Sequence, residues 1–218
     1  MDIEKFALRR FTAKRYDPTK KIPDHIMNQL VDLLRYTPTS INSQPYHFIV
    51  ASTENGIKRV ASSMVREEFL YNKHKVDRAS HTIVICSKTD MDESYIRKII
   101  EQEIKDGRHN PNLNKEEFIN LYIGYMNLHK KILKDLPNWT AKQGYIALGN
   151  LLLGASLANI DASPIEGFDA DILDKEFHLK EKGFTSILVI TLGYHDKTDY
   201  NAKQPKSRFS KEELFTFC

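Results

Sequence analysis

The sequence predicts an α+β domain, and three observations predict it. Helical periodicities outnumber strand-like runs. The apolar, β-branched runs are few: His47 to Ser52, Thr82 to Ser87 and Phe184 to Leu192. Helices and strands come in mixed order with few strands, which suggests α+β layers more than a doubly wound sheet. The chain has 218 residues, enough for one domain with a sizeable core and too few for two ordinary ones. A single domain over 1–218 is therefore expected.

Asp2 is placed to cap a short helix running through Arg10, followed by the alternating stretch Phe11 to Tyr16. Pro23 opens a second helix, with Ile26, Leu30, Val31 and Leu34 on one face, and Tyr36-Thr37-Pro38 stops it. Thr39 to Pro45 reads as a polar loop leading into the strand His47 to Ser52. Glu54 to Met64 reads as a helix, and Arg66 to Lys75 as a less regular one. Thr82 to Ser87 is a buried strand in which Cys86 is a small hydrophobe. Asp90 to Lys105 and Lys115 to Lys134 are long amphipathic helices separated by the breakers Gly107 to Pro111. Trp139 to Ala158 is apolar nearly all round. That predicts a buried helix at the core of the subunit or of a dimer, and Gly144, Gly149 and Gly154 suggest close helix approach. Asp169 to Phe177 is a short helix, and Phe184 to Leu192 a buried strand. Residues 195–218 form a polar tail that must dock on its own subunit or a partner, or else be disordered.

Composition excludes several classes. With 32 Lys and Arg against 29 Asp and Glu, the net charge of +3 falls well short of a histone-like excess. Hydrophobic residues at 41% and charged residues at 28% exclude global disorder. Two cysteines cannot build a disulfide framework or a four-ligand zinc site. The N-terminus lacks the apolar region of a signal peptide, and no apolar run is long enough to span a bilayer. Asn138-Trp139-Thr140 fits the glycosylation pattern but means nothing without a secretory route. A soluble cytoplasmic protein is expected. There is no G-x-G-x-x-G after a strand, no Walker A lysine after Gly149 and Gly154, no H-E-x-x-H, no C-x-x-C and no G-x-S-x-G. The eight histidines are scattered, and no metal site is expected.

Four polar clusters remain. In an extended Arg10-Phe11-Thr12-Ala13-Lys14, alternate residues share a face, so two cations and a hydroxyl point one way and suit an anion. Thr39-Ser40-Ile41-Asn42-Ser43-Gln44, between prolines, offers many short donors, or a turn that satisfies itself. Asn72-Lys73-His74-Lys75 is a charged helix end taken alone. Lys206 and Arg208 alternate within the tail, and by themselves make only a basic tail.

Together the segments RRFTAKRYD, TPTSINSQPYHF, NKHKxxxASH, PIEGFD and PKSRF resemble, in order and spacing, the FMN-dependent nitroreductases. The likeness is closest to the oxygen-insensitive NAD(P)H nitroreductase and dihydropteridine reductase branch. It covers essentially the whole chain and is weakest from about Gly107 to Pro137. The resemblance implies an α+β homodimer with a central, mostly antiparallel sheet and FMN at the subunit boundary. The helix 139–158 would lie at the interface and the tail would wrap the partner. Arg10, Lys206 and Arg208 would hold the phosphate, with Thr12 adding a hydroxyl. Thr39, Ser40 and Asn42 would contact the phosphate and ribityl region, in part from the partner, and Gln143 the ribityl side. Lys14, Asn72 and Lys75 would sit near the pyrimidine edge. Pro164, Ile165, Glu166 and Gly167 would pack on one ring face, with the Glu166 and Gly167 backbone N–H groups near N5 and O4.

The chain departs from the family pattern at four positions. Tyr46 stands where relatives often have Trp, and Ile41 replaces a small polar residue. Tyr71 and Tyr125 stand where relatives carry Phe. Ile41, Tyr71 and Tyr125 are expected to shape the acceptor pocket. The implied activity is two-electron, ping-pong reduction of nitroaromatics and quinones with NAD(P)H as transient donor. A dihydropteridine or flavin reductase on the same fold is the alternative, and a non-catalytic nucleic-acid-binding regulator is the reading from another class.

Overall fold

The computed structural model describes residues 3–109 and 114–218. The expected Asp2 cap and the end of the Gly107–Pro111 breaker lie outside them. Helix α1 (Ile3–Arg9) leads into an extended stretch, and α2 (Asp24–Arg35) starts after Pro23, whose φ of −61° already suits a helix. Strand β1 (Tyr46–Ala51) follows the polar loop. Helix α3 (Glu54–Ala61) is capped by Thr53, whose hydroxyl accepts from Gly56 N at 3.1 Å. Helix α4 (Leu70–Arg78) and strand β2 (His81–Lys88) come next. Helix α5 (Glu93–Lys105) begins three residues later than Asp90, because the Asp92 carboxylate caps it through Tyr95 N at 2.9 Å. Helix α6 (Lys115–Asn127) stops before Lys134 and widens into a π-helical turn at Leu128–Ile132.

Helix α7 (Leu136–Leu157) starts earlier than Trp139, with Pro137 in its first turn, where the missing N–H costs nothing. Strand β3 (Asp161–Ile165), helix α8 (Ala170–Glu176), strand β4 (Phe184–Gly193) and the short α9 (Lys211–Leu214) complete the chain. The strands form one sheet of order β1-β2-β4-β3, antiparallel throughout. Strand β3 had no counterpart in the sequence reading, since Pro164 argues against a central strand. It lies at the sheet edge, where a missing donor is tolerated.

The register of β2 explains the layering. Ile83 and Ile85 face one side and join Leu30, Leu34, Ala147 and Leu151 of α2 and α7. Val84 and Cys86 face the other and join Val60, Leu173 and Val76 of α3, α8 and α4. Helices thus cover both faces, and the central strand reads as an uninterrupted apolar run. Burial pushes the Cys86 thiol up to about 12.

Close approach is real at two of the three α7 glycines. A Cβ at Gly144 would stand 2.6 Å from Ile187 of β4, and one at Gly154 would meet Leu33 of α2. Gly149 faces open space, so the expected close approach does not extend to it. Tyr145, Ile146, Leu153 and Leu157 on α7 stay exposed although the helix is apolar all round. The tail divides in two. His195 bridges Tyr16, and Asp196 N donates to Arg15 O at 3.0 Å, so its first part docks on its own subunit. From Lys203 onward every residue is exposed, Phe217 by 86%.

Candidate functional site

The extended stretch after α1 is pinned at the edge of the sheet. Thr12 bridges Ala162 of β3, and Tyr16 donates its buried hydroxyl to Thr191 O of β4 at 2.9 Å. The buried Asp199 carboxylate accepts from the backbone N–H groups of Lys14 and Arg15 at 2.7 and 3.0 Å. Asn201 Nδ2 donates to Thr12 O at 2.7 Å, and His74 of α4 contacts Lys14 O at 3.2 Å. The Lys14 backbone is thereby held between β3 and α4.

These elements enclose a cavity of about 390 Å³. Lys14, Tyr71, Asn72 and Lys75 line one side, and Pro164, Ile165, Glu166 and Gly167 another. Leu148 of α7 and Leu188 of β4, which the sequence reading did not single out, complete the apolar wall. Lys75 is 3% exposed. Among the described residues its ammonium has no carboxylate partner, only the Tyr71 ring at 5.0 Å. Burial, and then the charge of Lys14, bring it down to about 8. Two cations held together without an anion suit an electron-rich or anionic ligand.

The polar wall is held in place by hydrogen bonds. Asn72 Nδ2 donates to Gly167 O at 3.0 Å, and a Cβ at Gly167 would stand 2.6 Å from that same nitrogen, so any side chain there would displace the Asn72 amide. Tyr145 of α7 donates its hydroxyl to Glu166 Oε1 at 2.5 Å. Partial desolvation of the hydroxyl, and then this carboxylate, bring the phenol up to about 12.

A second cationic group forms where the tail leaves the body. Lys206, though exposed, is lowered by partial desolvation and then by the charges of Arg10 and Arg208, so both arginines lie within electrostatic reach of it. Arg10 opens on a neighbouring cleft of about 360 Å³ with Arg9 and His195.

The loop residues lie elsewhere in the chain. Thr39 and Asn42 line a separate cavity of about 710 Å³ with Glu103 and Arg108. Ser40 N donates to Gln143 Oε1 at 3.0 Å, which places Gln143 with this loop. Ile41 packs on the cluster of Met91, Ile99 and Trp139, and Tyr125 lies 6.1 Å from the Trp139 ring. The loop adopts left-handed backbone at Ile41, Asn42 and Gln44, with φ of 47°, 49° and 42°. Thus Lys14, Tyr71, Asn72, Lys75 and residues 164–167 meet in one cavity. Thr39, Ser40, Asn42, Gln143, Ile41 and Tyr125 gather at another place.

Residues 7–194 match the family model described as the Nitroreductase family. An oxygen-insensitive NAD(P)H nitroreductase of Enterobacter cloacae is 45% identical over 218 residues, covering all of both chains. A protein of the same name from Salmonella typhimurium strain LT2 is 44% identical over 99% of each chain. The major NAD(P)H-flavin oxidoreductase of Aliivibrio fischeri is 31% identical over 95% of this chain and 94% of its own. In fold, the chain is similar to a protein of Exiguobacterium sibiricum described as a nitroreductase and solved in complex with FMN. The TM-score is 0.81 at 18% identity, over 100% of this chain and 98% of that one.

Proposed function

As the chain belongs to the nitroreductase family, we propose that it is an FMN-dependent NAD(P)H oxidoreductase reducing nitroaromatics and quinones by two electrons, in ping-pong turns at one shared site. Bound FMN would supply the redox chemistry, taking up hydride at N5 and passing on two electrons. The observation that carries the reading is the buried Lys75, without a carboxylate partner among the described residues, in one cavity with Lys14 and residues 164–167.

The residues fit the cofactor. Lys14, Asn72 and Lys75 would hold the pyrimidine edge and stabilise the negative charge that reduction brings there. Pro164 and Ile165 would lie against the ring, and the backbone N–H groups of Glu166 and Gly167 would point at its reactive side. Arg10, Lys206 and Arg208 would hold the phosphate, with Thr12 beside them. Thr39, Ser40, Asn42 and Gln143 are not among this cavity's lining residues, and in this reading they would come from a second copy. Tyr71, 61% exposed at the cavity mouth, would form the acceptor pocket with Ile41 and Tyr125 of the second copy.

A homodimer would complete this arrangement. It would cover the exposed face of α7 and give the free end of the single-domain chain, residues 203–218, a surface to dock on. Among the described residues no helix is long and apolar enough to cross a membrane, and a cytoplasmic location is part of the proposal.

Anaerobic stopped-flow tests the reading. The purified protein should be yellow, bleach with NADH or NADPH, and regain its colour when a nitroaromatic or quinone is mixed in. A colourless protein that binds no FMN would end the proposal. Faster reoxidation by dihydropteridine or free flavin than by nitroaromatics would move the physiological acceptor to those compounds.

A further inference from the structure

Glu103 is 3% exposed and sits on the apolar stripe of α5 with Ile96, Ile99 and Ile100. A carboxylate in such a place persists only where its lone pairs are satisfied. Oε1 accepts from Asn42 Nδ2 at 2.7 Å and lies 3.3 Å from Arg108 Nε. Oε2 lies 2.7 Å from His109 Nε2 and accepts from the Tyr122 hydroxyl at 3.5 Å. Three of these partners come from the α5–α6 region itself. Asn42 alone belongs to the left-handed loop.

The geometry at Asn42 gives the contact a direction. Its amide is held at both ends, Nδ2 by Glu103 and Oδ1 by Gln44 Nε2 at 3.2 Å. Shape does not distinguish the two ends of an amide. A carboxylate only accepts, so the nitrogen must face it. The second hydrogen on Nδ2 has no partner among the described residues. Both Asn42 and Glu103 line the 710 Å³ cavity, where Arg108 offsets the negative charge of the carboxylate.

We infer that Glu103 is a positioning residue for cofactor capture: it fixes the orientation of the Asn42 amide, so that the loop presents an N–H donor to the FMN of the adjoining subunit. The inference rests on the reading of Asn42 as a cofactor contact.

FMN release from the diluted holoprotein, followed by recovery of flavin fluorescence, tests it together with the Tm of each variant. Asn42→Ala and Glu103→Ala should each weaken FMN retention about tenfold, and the double variant no more than the worse single one. Glu103→Gln should retain FMN nearly as well as the parent, because its amide oxygen still accepts from Asn42. If Glu103→Ala does not fold, Glu103→Asp takes its place, keeping the charge and shortening the reach, with the same loss expected. A double variant in which the two losses multiply would make Glu103 merely structural and overturn the inference. So would parental retention by Glu103→Ala or Glu103→Asp while Asn42→Ala loses FMN. Parental retention by Asn42→Ala would instead overturn the reading of Asn42, and the inference with it.

Discussion

Lys14 and Lys75 repel each other across the cavity, and each gains from an anion placed between them. Lys14→Ala should therefore weaken FMN binding about tenfold and lower the potential of the bound flavin. About 1.4 kcal/mol of lost anion stabilisation corresponds to about 30 mV in a two-electron couple. An unchanged midpoint in a redox titration would remove Lys14 from this role. Lys75 adds a pH dependence whose sign follows from its depressed value of about 8. Its charge is present below that pH and lost above it. FMN affinity should hold steady below about pH 8 and fall above it, by up to about tenfold per pH unit, and Lys75→Met should flatten the profile in fluorescence titrations. At Gly167 the added methyl of Gly167→Ala would push on Asn72 Nδ2 and Phe69 Cδ1. FMN retention should fall several-fold, with little change in Tm if only the side chains yield.

Helix ends carry their own test. Helix α8 closes with Leu179 N donating to Asp174 O at 2.9 Å and His178 N donating to Lys175 O at 3.3 Å, with His178 at φ 52°. That is the Schellman arrangement, in which glycine fits the left-handed residue best. His178→Gly should stabilise the protein by about 0.5–1 kcal/mol and raise Tm by about 2–4 °C in a thermal melt. The exposed contact it removes, 3.8 Å from Glu181, contributes little. Most elements were legible in the sequence because apolar spacing and caps agree there, as at Thr53 and α3. Strand β3 was not, since Pro164 signals a break and only the sheet edge makes it tolerable. Lys14 and Lys75 stood out as basic residues within motifs. Glu103 did not, although a carboxylate on an isoleucine stripe is itself a sign of a buried partner. Asp199 sits in a turn-like tail segment, and only folding reveals that it clamps Lys14. The separation of the two polar groups into different cavities depends on long-range packing that no local pattern encodes.

For the molecule as a whole, the apolar helix α7 sets the expectation. Ile146 and Leu153, 44% and 39% exposed, lie seven residues apart and so share a face. The paired substitution Ile146→Glu, Leu153→Glu should leave a folded monomer by light scattering and circular dichroism, and that monomer should lose its FMN. A monomer that keeps FMN would show that one chain completes the site.

The hold of Asp199 on the Lys14 backbone also bears on how the protein is made. Synthesis delivers Lys14 well before Asp199, which lies 185 positions further along the chain. Until that late carboxylate has left the ribosome, the early strip has no anchor on this side, and the cavity stays unfinished. The wall that Lys14 lends the cavity therefore sets only after Asp199 has emerged, and flavin loading waits on that contact.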